Sequence, residues 1–339
     1  MKKGVLIMNL GTPDSPEPSD VGRYLKEFLG DGRVIDFPIV PRKLLVNGII
    51  VPTRKRKSSA VYKRVWTEEG SPLLLYGQSL VKKVAAKLGE DYSVKLAMRY
   101  QKPELSKVMA EFAAENVSEL LLLPLYPQYS SSTTGSTIEA VFKEVSKWQV
   151  VPKINVINDF FDNDDYVTCV ADRAKAFDLS SYDKIFFSYH GLPQRHLNKT
   201  HAQVGPCDMK CHEKYNPNQR FCYKAACYQT TRLIAEKLGM SKDRYQVVFQ
   251  SRLGKEEWIQ PYAEDTLIEA VKDGAKRILF FSPAFVADCL ETLDEIGVEY
   301  EEVAHENGDG SEKVDLVPSL NDDDDWADTI TKMIQKEIA

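Results

Sequence analysis

Lys184-Ile185-Phe186-Phe187-Ser188-Tyr189-His190-Gly191-Leu192-Pro193 is a short apolar run stopped by a glycine and a proline. A run of this length with aromatic and β-branched residues, cut off by turn formers, predicts a fully buried strand. Its last residue, His190, then stands at the carboxyl end of a strand, where open α/β sheets place their ligands. The chain on either side repeats one alternation. Strands are predicted at Val5–Leu10, Val94–Met98, Leu120–Leu125, Ile154–Ile157, Ile185–Tyr189, Val247–Phe249 and Ile278–Phe281. Helices are predicted between them, several stopped by a glycine such as Gly30, Gly89, Gly239 or Gly274. Strands alternating with helices imply parallel sheets covered on both faces.

Each half carries a strand into a glycine turn, a strand into a basic-polar turn, then an apolar strand, a Ser/Pro turn and a helix. The expected fold class is α/β, with two Rossmann-like domains and a cleft between them. The first spans 1–150 and the second 151–320. A C-terminal amphipathic helix within 321–339, starting near Trp326 after the acidic run Asp322–Asp325, is expected to pack back across the domains.

Immediately after the His190 strand come Cys207, Cys211, Cys222 and Cys227, spaced C-x3-C-x10-C-x4-C in an insert at about 205–228. Four thiols this close in a chain of six cysteines suggest a metal site. A structural zinc ion, an iron–sulfur cluster and plain packing thiols all remain open on spacing, which does not match the common zinc pairing. Cys169 and Cys289 read as buried core thiols. His196, His201, His212 and His305 read as solvated loop histidines, although His212 adjoins Cys211 and could replace a ligand.

A helix predicted over Val286–Ile296 carries Glu291, and Glu295 and Glu299 follow at i+4 and i+8. This spacing stacks the three on one face. Such a row is costly unless it is solvated or meets cations. Glu291 falls in the first helical turn after a sheet strand, at the edge where His190 should also lie. A histidine and a carboxylate converging there can bind a divalent metal or exchange protons with a substrate.

Composition sets the outer limits. The 339 residues are 43% hydrophobic and 28% charged, as in a soluble globular protein, and the net charge of −6 argues against nucleic acid as a general partner. No apolar run approaches a membrane span. The N-terminal apolar stretch is too short for a signal peptide, and Gly11-Thr12-Pro13-Asp14 replaces a cleavage site; it reads as a first strand. The expected compartment is the cytoplasm, with thiols reduced or metal-bound. Positions 42–64 mix Arg42, Lys43, Arg54, Lys55, Arg56, Lys57, Lys63 and Arg64 with an apolar run from Leu44 to Val51. Such a segment can rest on an anionic membrane surface or line a site for an amphiphilic anion; it equally suits a helix with a solvated basic face.

Five stretches, in order, resemble the ferrochelatases. They are Met8-Asn9-Leu10-Gly11-Thr12-Pro13; Leu125-Tyr126-Pro127-Gln128-Tyr129-Ser130 with Ser132-Thr133-Thr134-Gly135-Ser136; Ser188-Tyr189-His190-Gly191-Leu192-Pro193; Gln250-Ser251-Arg252-Leu253-Gly254; and Phe285-Val286-Ala287-Asp288-Cys289-Leu290-Glu291-Thr292-Leu293. The resemblance implies insertion of ferrous iron into protoporphyrin IX, clamped between two Rossmann-like domains, with His190 and Glu291 catalytic and contacting the iron. It implies that Glu295 and Glu299 form an acidic ladder leading inward. It places Met8, Arg54, Tyr62, Ser71, Arg99 and Tyr129 of the first domain and Trp258 of the second at the porphyrin, and makes 39–57 a lip that can touch the inner membrane surface.

Some bacterial members carry an internal cysteine quartet that binds a 2Fe–2S cluster, so the resemblance favours that group over zinc. Cys289 departs from the histidine that many members have two residues before the glutamate. The Tyr126–Ser130 form resembles the protoporphyrin branch; a coproporphyrin or cobalt chelatase, or a non-catalytic iron–sulfur sensor, are the alternatives. A monomer and a homodimer both suit the chain.

Overall fold

A computed structural model describes residues 1–338 except Asp208, Met209, Leu253 and Lys255. Leu253 of the fourth stretch quoted above is therefore outside the described residues. The chain divides into two compact units. The first is formed by Met1–Tyr126, Ser131–Asp159 and Asn321 onward, the second by Pro127–Ser130 and Phe160–Leu320.

In the first unit the strands are β1 (Lys3–Gly11), β2 (Tyr92–Tyr100), β3 (Glu119–Pro124) and β4 (Lys153–Val156). They form one parallel sheet in the order β2-β1-β3-β4. Helices α1 (Pro18–Gly30), α2 (Ile39–Leu45), α3 (Val51–Val65), α4 (Pro72–Leu88), α5 (Leu105–Ala114) and α6 (Ser136–Val145) accompany it. The sheet is buried because its strands are continuous apolar runs: Leu6, Met8, Ala97, Leu120 and Leu122 pack with Phe112 and Val141 from α5 and α6. At the end of β1, Gly11 adopts φ +114°, and a Cβ there would lie 2.0 Å from the carbonyl oxygen of Tyr100, so only glycine fits.

The second unit repeats the arrangement. Strands β5 (Lys184–His190), β6 (Tyr245–Gln250), β7 (Arg277–Phe281) and β8 (Lys313–Leu316) pair in parallel in the order β6-β5-β7-β8. The helices are α7 (Asp164–Ala174), α8 (Gln194–Val204), α9 (Tyr223–Lys237), α10 (Ala263–Lys272) and α11 (Tyr300–Asn307). Phe187 and Phe281 stack across β5 and β7 with ring centroids 4.4 Å apart. Phe186, Phe280, Leu267, Ile296 and Tyr300 close one face. Each such side chain removed from water contributes on the order of 2 kcal/mol. From β5 the chain crosses to β6 on one side, and β7 lies on the other. The carboxyl end of β5 is thus the switch point of its sheet, and His190 occupies it.

The last helix, α12 (Asp324–Ile338), returns to the first unit and packs on α4. Lys83 pairs with Asp324 at 3.1 Å and Lys87 with Asp328 at 2.5 Å.

Three sequence expectations are corrected here. A boundary after residue 150 would give β4 to the second domain, but β4 pairs with β3 and closes the first sheet. Parallel pairing needs only a crossover helix, which α6 supplies. Second, Tyr129 clusters with the second unit, because Pro127 accepts the N–H of Phe160 at 3.0 Å and Gln128 donates to Thr230 at 3.1 Å. Third, His196 and His201 are half-buried on α8, and His305, though exposed, is on α11, so none of the three is in a loop.

The segment 39–65 is helical throughout, with π-type i→i+5 bonding over Val46–Ile50 joining α2 to α3. Phe37, Ile39, Val40, Leu44 and Ile49 are exposed, Leu44 to 69%. Among the described residues no helix is long and apolar enough to cross a membrane.

Candidate functional site

The end of β5 is held by its neighbours. Gly191 donates its N–H to the Gln250 carbonyl at 2.8 Å, continuing the β5–β6 ladder by one residue. The Tyr223 hydroxyl donates to the His190 carbonyl at 2.9 Å, and Phe285 meets the imidazole edge-on at 6.3 Å between centroids. The next residues turn against a second segment: Pro193 bridges Trp258, and Ile259 donates to the Leu192 carbonyl at 2.9 Å. Gly191 permits this closure. A Cβ there would stand 2.8 Å from the Gln250 carbonyl oxygen and 3.1 Å from the Trp258 ring. Trp258 is thereby packed against Gly191, the residue that follows His190.

The carboxylates come from a helix that differs from the expected one. No helix begins at Val286. Asp288 instead accepts the Thr292 hydroxyl at 3.1 Å and the N–H of Ser319 at 3.3 Å, while Thr292 accepts the N–H of Cys289 at 2.9 Å. These bonds fold 286–290 into a turn, and the helix runs from Glu291 to Glu299 with π-type bonding. Apolar periodicity does not distinguish a five-residue hydrogen-bond step from a four-residue one. In the wider helix residues four apart fall just short of a full turn, so Glu291, Glu295 and Glu299 still share one side.

Burial holds the His190 imidazole below its ordinary pKa of 6.5, and the nearby Glu291 carboxylate partly offsets this. The Glu291 carboxylate lies near the Cys289 thiol; burial first, and then Glu291, raise that thiol well above its ordinary range. Cys289 is thus a neighbour of the candidate catalytic carboxylate, not the detached core thiol expected from sequence. Glu295 lies deeper. It accepts the Ser251 N–H at 2.9 Å, the Ser251 hydroxyl at 2.6 Å and the Gln250 amide at 2.9 Å. Gln250 is itself fixed by the Ser188 hydroxyl at 2.7 Å. Burial nevertheless pushes Glu295 up to about 7, with Glu291 adding to the rise and the bonds from Ser251 and Gln250 opposing it. Tyr300 lies close to Glu295 and Glu299, and burial followed by the Glu295 charge raises its phenol far above 10.

Sequence reasoning assigned no role to Ser188, Gln250, Ser251 or Tyr300. Only Ser251 carried a local signal, as a polar residue directly after a strand; its φ of +65° turns its N–H toward Glu295.

The cysteines also come together. Cys222 caps the start of α9, Cys227 lies in its second turn, and Cys211 packs on Cys222 and Ala225. Cys207 is half-buried and the other three are buried. Burial pushes the Cys222 thiol up to about 11, and Cys211 and Cys207 push in the same direction. Burial raises Cys227 too, with Cys222 and Cys211 adding to it. Cys211 is raised by burial and by Cys207, against the opposing charges of Lys224 and Arg232. Among the described residues no group of three or more His, Cys, Asp or Glu side chains forms a ready-made metal site.

The expected porphyrin residues of the first unit are more dispersed. Met8 is fully buried in the core with Leu6 and Phe112, and presents no side-chain surface. Arg54 is exposed on α3. Tyr62 is buried edge-on to Tyr24 and Trp66, and Ser71 is the buried residue that starts α4. Arg99 pairs with Asp31 at 2.6 Å and donates to the Ser136 hydroxyl at 2.7 Å. In the second unit Tyr129 meets Phe221 edge-on at 5.3 Å.

Comparison with known proteins agrees with this picture. The ferrochelatase family model matches residues 2–338. The ferrochelatase of Legionella pneumophila (strain Paris) is 40% identical over 338 residues, covering 100% of both chains. That of Coxiella burnetii (strain Dugway) is 41% identical over 343 residues, covering 99% of this chain and 94% of the relative. Among solved structures, SirB from Bacillus subtilis with Fe3+ matches with a TM-score of 0.57 at 9% identity, covering 99% of this chain and 95% of that one. CbiX, the terminal enzyme for biosynthesis of siroheme in denitrifying bacteria, matches with a TM-score of 0.51 at 13% identity, covering 99% and 100%. At such identities the likeness to the two structures is one of fold. The matches to the family model and to full-length relatives carry more: the chain belongs to the ferrochelatase family.

Proposed function

We propose that this protein is a metal chelatase of the lyase class that inserts ferrous iron into protoporphyrin IX, giving protohaem and releasing two protons. The reaction transfers no net electrons: two pyrrole N–H bonds break and iron–nitrogen bonds form. The observation that carries the reading is the meeting of His190 and Glu291 at the β5 switch point, in a chain of this family. An imidazole kept neutral by burial has a free ring nitrogen, which can take a pyrrole proton or pass on the iron. Glu291 takes the complementary part. Glu295, titrating near neutrality, is suited to receive and release protons behind them, with Glu299 beyond. Trp258 and Tyr129 are proposed to face the macrocycle, and Arg54, Tyr62, Ser71 and Arg99 to line or support its lip.

We further assign the cysteine quartet to a 2Fe–2S cluster. The chemistry of the donor set suits it: four thiols, with Cys211 in electrostatic range of the other three, beside the cations of Lys224 and Arg232. Cys207, Cys211, Cys222 and Cys227 would hold it, and bound there it would supply a redox-active centre and a structural staple. The exposed apolar residues of 37–49 next to Arg54, Arg56 and Lys57 suit peripheral contact with an anionic membrane surface from the cytoplasmic side.

The test is anaerobic incubation of purified protein with ferrous iron and protoporphyrin IX, following porphyrin absorbance. Catalytic conversion that is lost in His190→Ala, with porphyrin binding retained, supports the reading. Conversion of coproporphyrin alone would move the substrate assignment. Full activity in the variant would remove His190 from the mechanism.

A further inference from the structure

One side chain of α9 ties the loop that carries Cys211 to the helix. Ala225, Tyr228 and Arg232 follow one another at steps of three and four residues, which places them along one helical face. Cys211 packs on this face: it is buried with Cys222 and Ala225, and Tyr228 lies against them. Side chains on a helix lean toward its N-terminus, so the Arg232 guanidinium reaches back over the turn that Cys211 covers. Two of its three nitrogens are fixed there. Nη1 donates to the Cys211 carbonyl at 2.9 Å, and Nε donates to Gln229 Oε1 at 3.0 Å. The third, Nη2, is buried and has no hydrogen-bond partner. A charged donor shut away from water is costly without an acceptor, and this one belongs to a fork already anchored on a cysteine of the quartet.

We propose that Arg232 donates through Nη2 to the sulfurs of the group held by the cysteine quartet, and thereby raises the reduction potential of that group. This rests on the assignment of Cys207, Cys211, Cys222 and Cys227 to a 2Fe–2S cluster. An iron–sulfur cluster bound by four thiolates is an anion rich in sulfur acceptors, and it becomes more negative when reduced by one electron. A hydrogen bond and a fixed positive charge at its sulfurs favour the reduced state, so they raise the potential. Arginine suits this position better than lysine. It stays charged when buried, and its planar fork can hold the loop with one arm and the cluster with the other. The role is one of orienting and tuning the bound group, outside the insertion chemistry at His190.

The test uses full-length protein purified without oxygen and reconstituted with iron and sulfide. Wild type, Arg232→Lys and Arg232→Met are titrated with dithionite through mediator dyes, and the reduced cluster is followed by its electron paramagnetic resonance signal. One charge-assisted hydrogen bond is worth about tenfold in an equilibrium constant, which is about 59 mV for one electron. The potential should fall by about that much in Arg232→Met. It should fall by less in Arg232→Lys, which keeps the charge but has no fork. In protein carrying 15N only in its arginine side chains, pulsed paramagnetic resonance of the reduced cluster should show 15N coupling in wild type and none in Arg232→Lys. The coupling should persist in Arg220→Lys, which changes the one arginine inside the insert 205–228.

An unchanged potential in Arg232→Met overturns the proposal. So does a 15N coupling that is absent in wild type, survives in Arg232→Lys or disappears in Arg220→Lys. The wild-type and Arg220→Lys spectra carry the test even where substitution at 232 costs the cluster. Wild-type protein that takes up no cluster defeats the 2Fe–2S assignment itself, and the proposal falls with it; its absorbance shows this before any variant is made. Neither readout depends on chelatase turnover.

Discussion

Ser251 grips Glu295 through both its backbone N–H, at 2.9 Å, and its hydroxyl, at 2.6 Å, tying the middle of the acidic helix to the end of β6. The bonds favour the ionised carboxylate, yet burial wins and the group titrates at about 7 instead of 4.5. The native state therefore holds a proton between about pH 4.5 and 7 that the unfolded chain has released, and stability falls as pH rises through this window. Glu295→Gln removes the effect. Urea unfolding at pH 5 and pH 8 should show the variant losing about 2–3 kcal/mol less than wild type between the two. An unchanged difference would show that Glu295 is ionised throughout.

His190 titrates below 6.5 because burial disfavours the imidazolium, with Glu291 pulling the other way. Its contribution has the usual sign for a depressed base: native stability is lost as pH falls through 6.5, where the unfolded histidine takes up a proton and the folded one resists. NMR titration should place the His190 midpoint below 6.5 in wild type and lower again in Glu291→Gln. A midpoint that rises on removing the carboxylate would contradict the electrostatic pairing.

Gly191 lies where a methyl group meets a backbone carbonyl at 2.8 Å and an indole ring at 3.1 Å. The carbonyl belongs to the β5–β6 ladder and cannot yield cheaply. Gly191→Ala should cost about 1–3 kcal/mol in urea denaturation. It should also lower metal insertion more than the stability loss explains, because Trp258 and the end of β5 are displaced together. Wild-type melting and turnover would show that the loop absorbs the methyl.

Asp31 is the hub of a polar cluster in the first unit. It accepts from Ser136 at 2.5 Å, Arg99 at 2.6 Å and Tyr100 at 2.9 Å. Burial alone would raise its pKa; the bonds from Ser136 and the Arg33 backbone, with the Arg99 charge, outweigh it and hold the carboxyl below 3.8. The stabilisation is present above pH 3.8 and lost as pH falls through the depressed native value. Asp31→Asn leaves Arg99 half-buried without its counter-charge and should cost about 2–4 kcal/mol at pH 7. The loss should shrink toward pH 3. A flat pH response would place the cost in packing instead of charge.

Much of this was legible before any coordinates. The run at Ile185–Tyr189 could only be a buried strand, and α10 has the span read from its periodicity and from Gly274, whose φ is +95°. Helix α8 was missed because its polar sequence, Gln194–Val204, buries only Leu197 and shows no apolar stripe. Strand β8, four residues at a sheet edge, is too short to carry an alternation signal. Pairing was hidden as well: nothing local in Lys153–Val156 says which sheet it joins.

By itself the sequence determined most of the strands and helices, several of the glycines that end them, and which residue types stand at the end of β5 and on the acidic helix. Those choices depend on backbone sterics and apolar periodicity, which act over a few residues. Only the tertiary structure decided that Glu295 keeps a proton near neutrality, that burial holds His190 below its ordinary pKa, that Cys289 lies near Glu291 and that Tyr223 holds the carbonyl of His190. Each of these depends on how much water is excluded and on which partner arrives from another element. Desolvation and hydrogen bonding act through space, between residues that the chain places far apart.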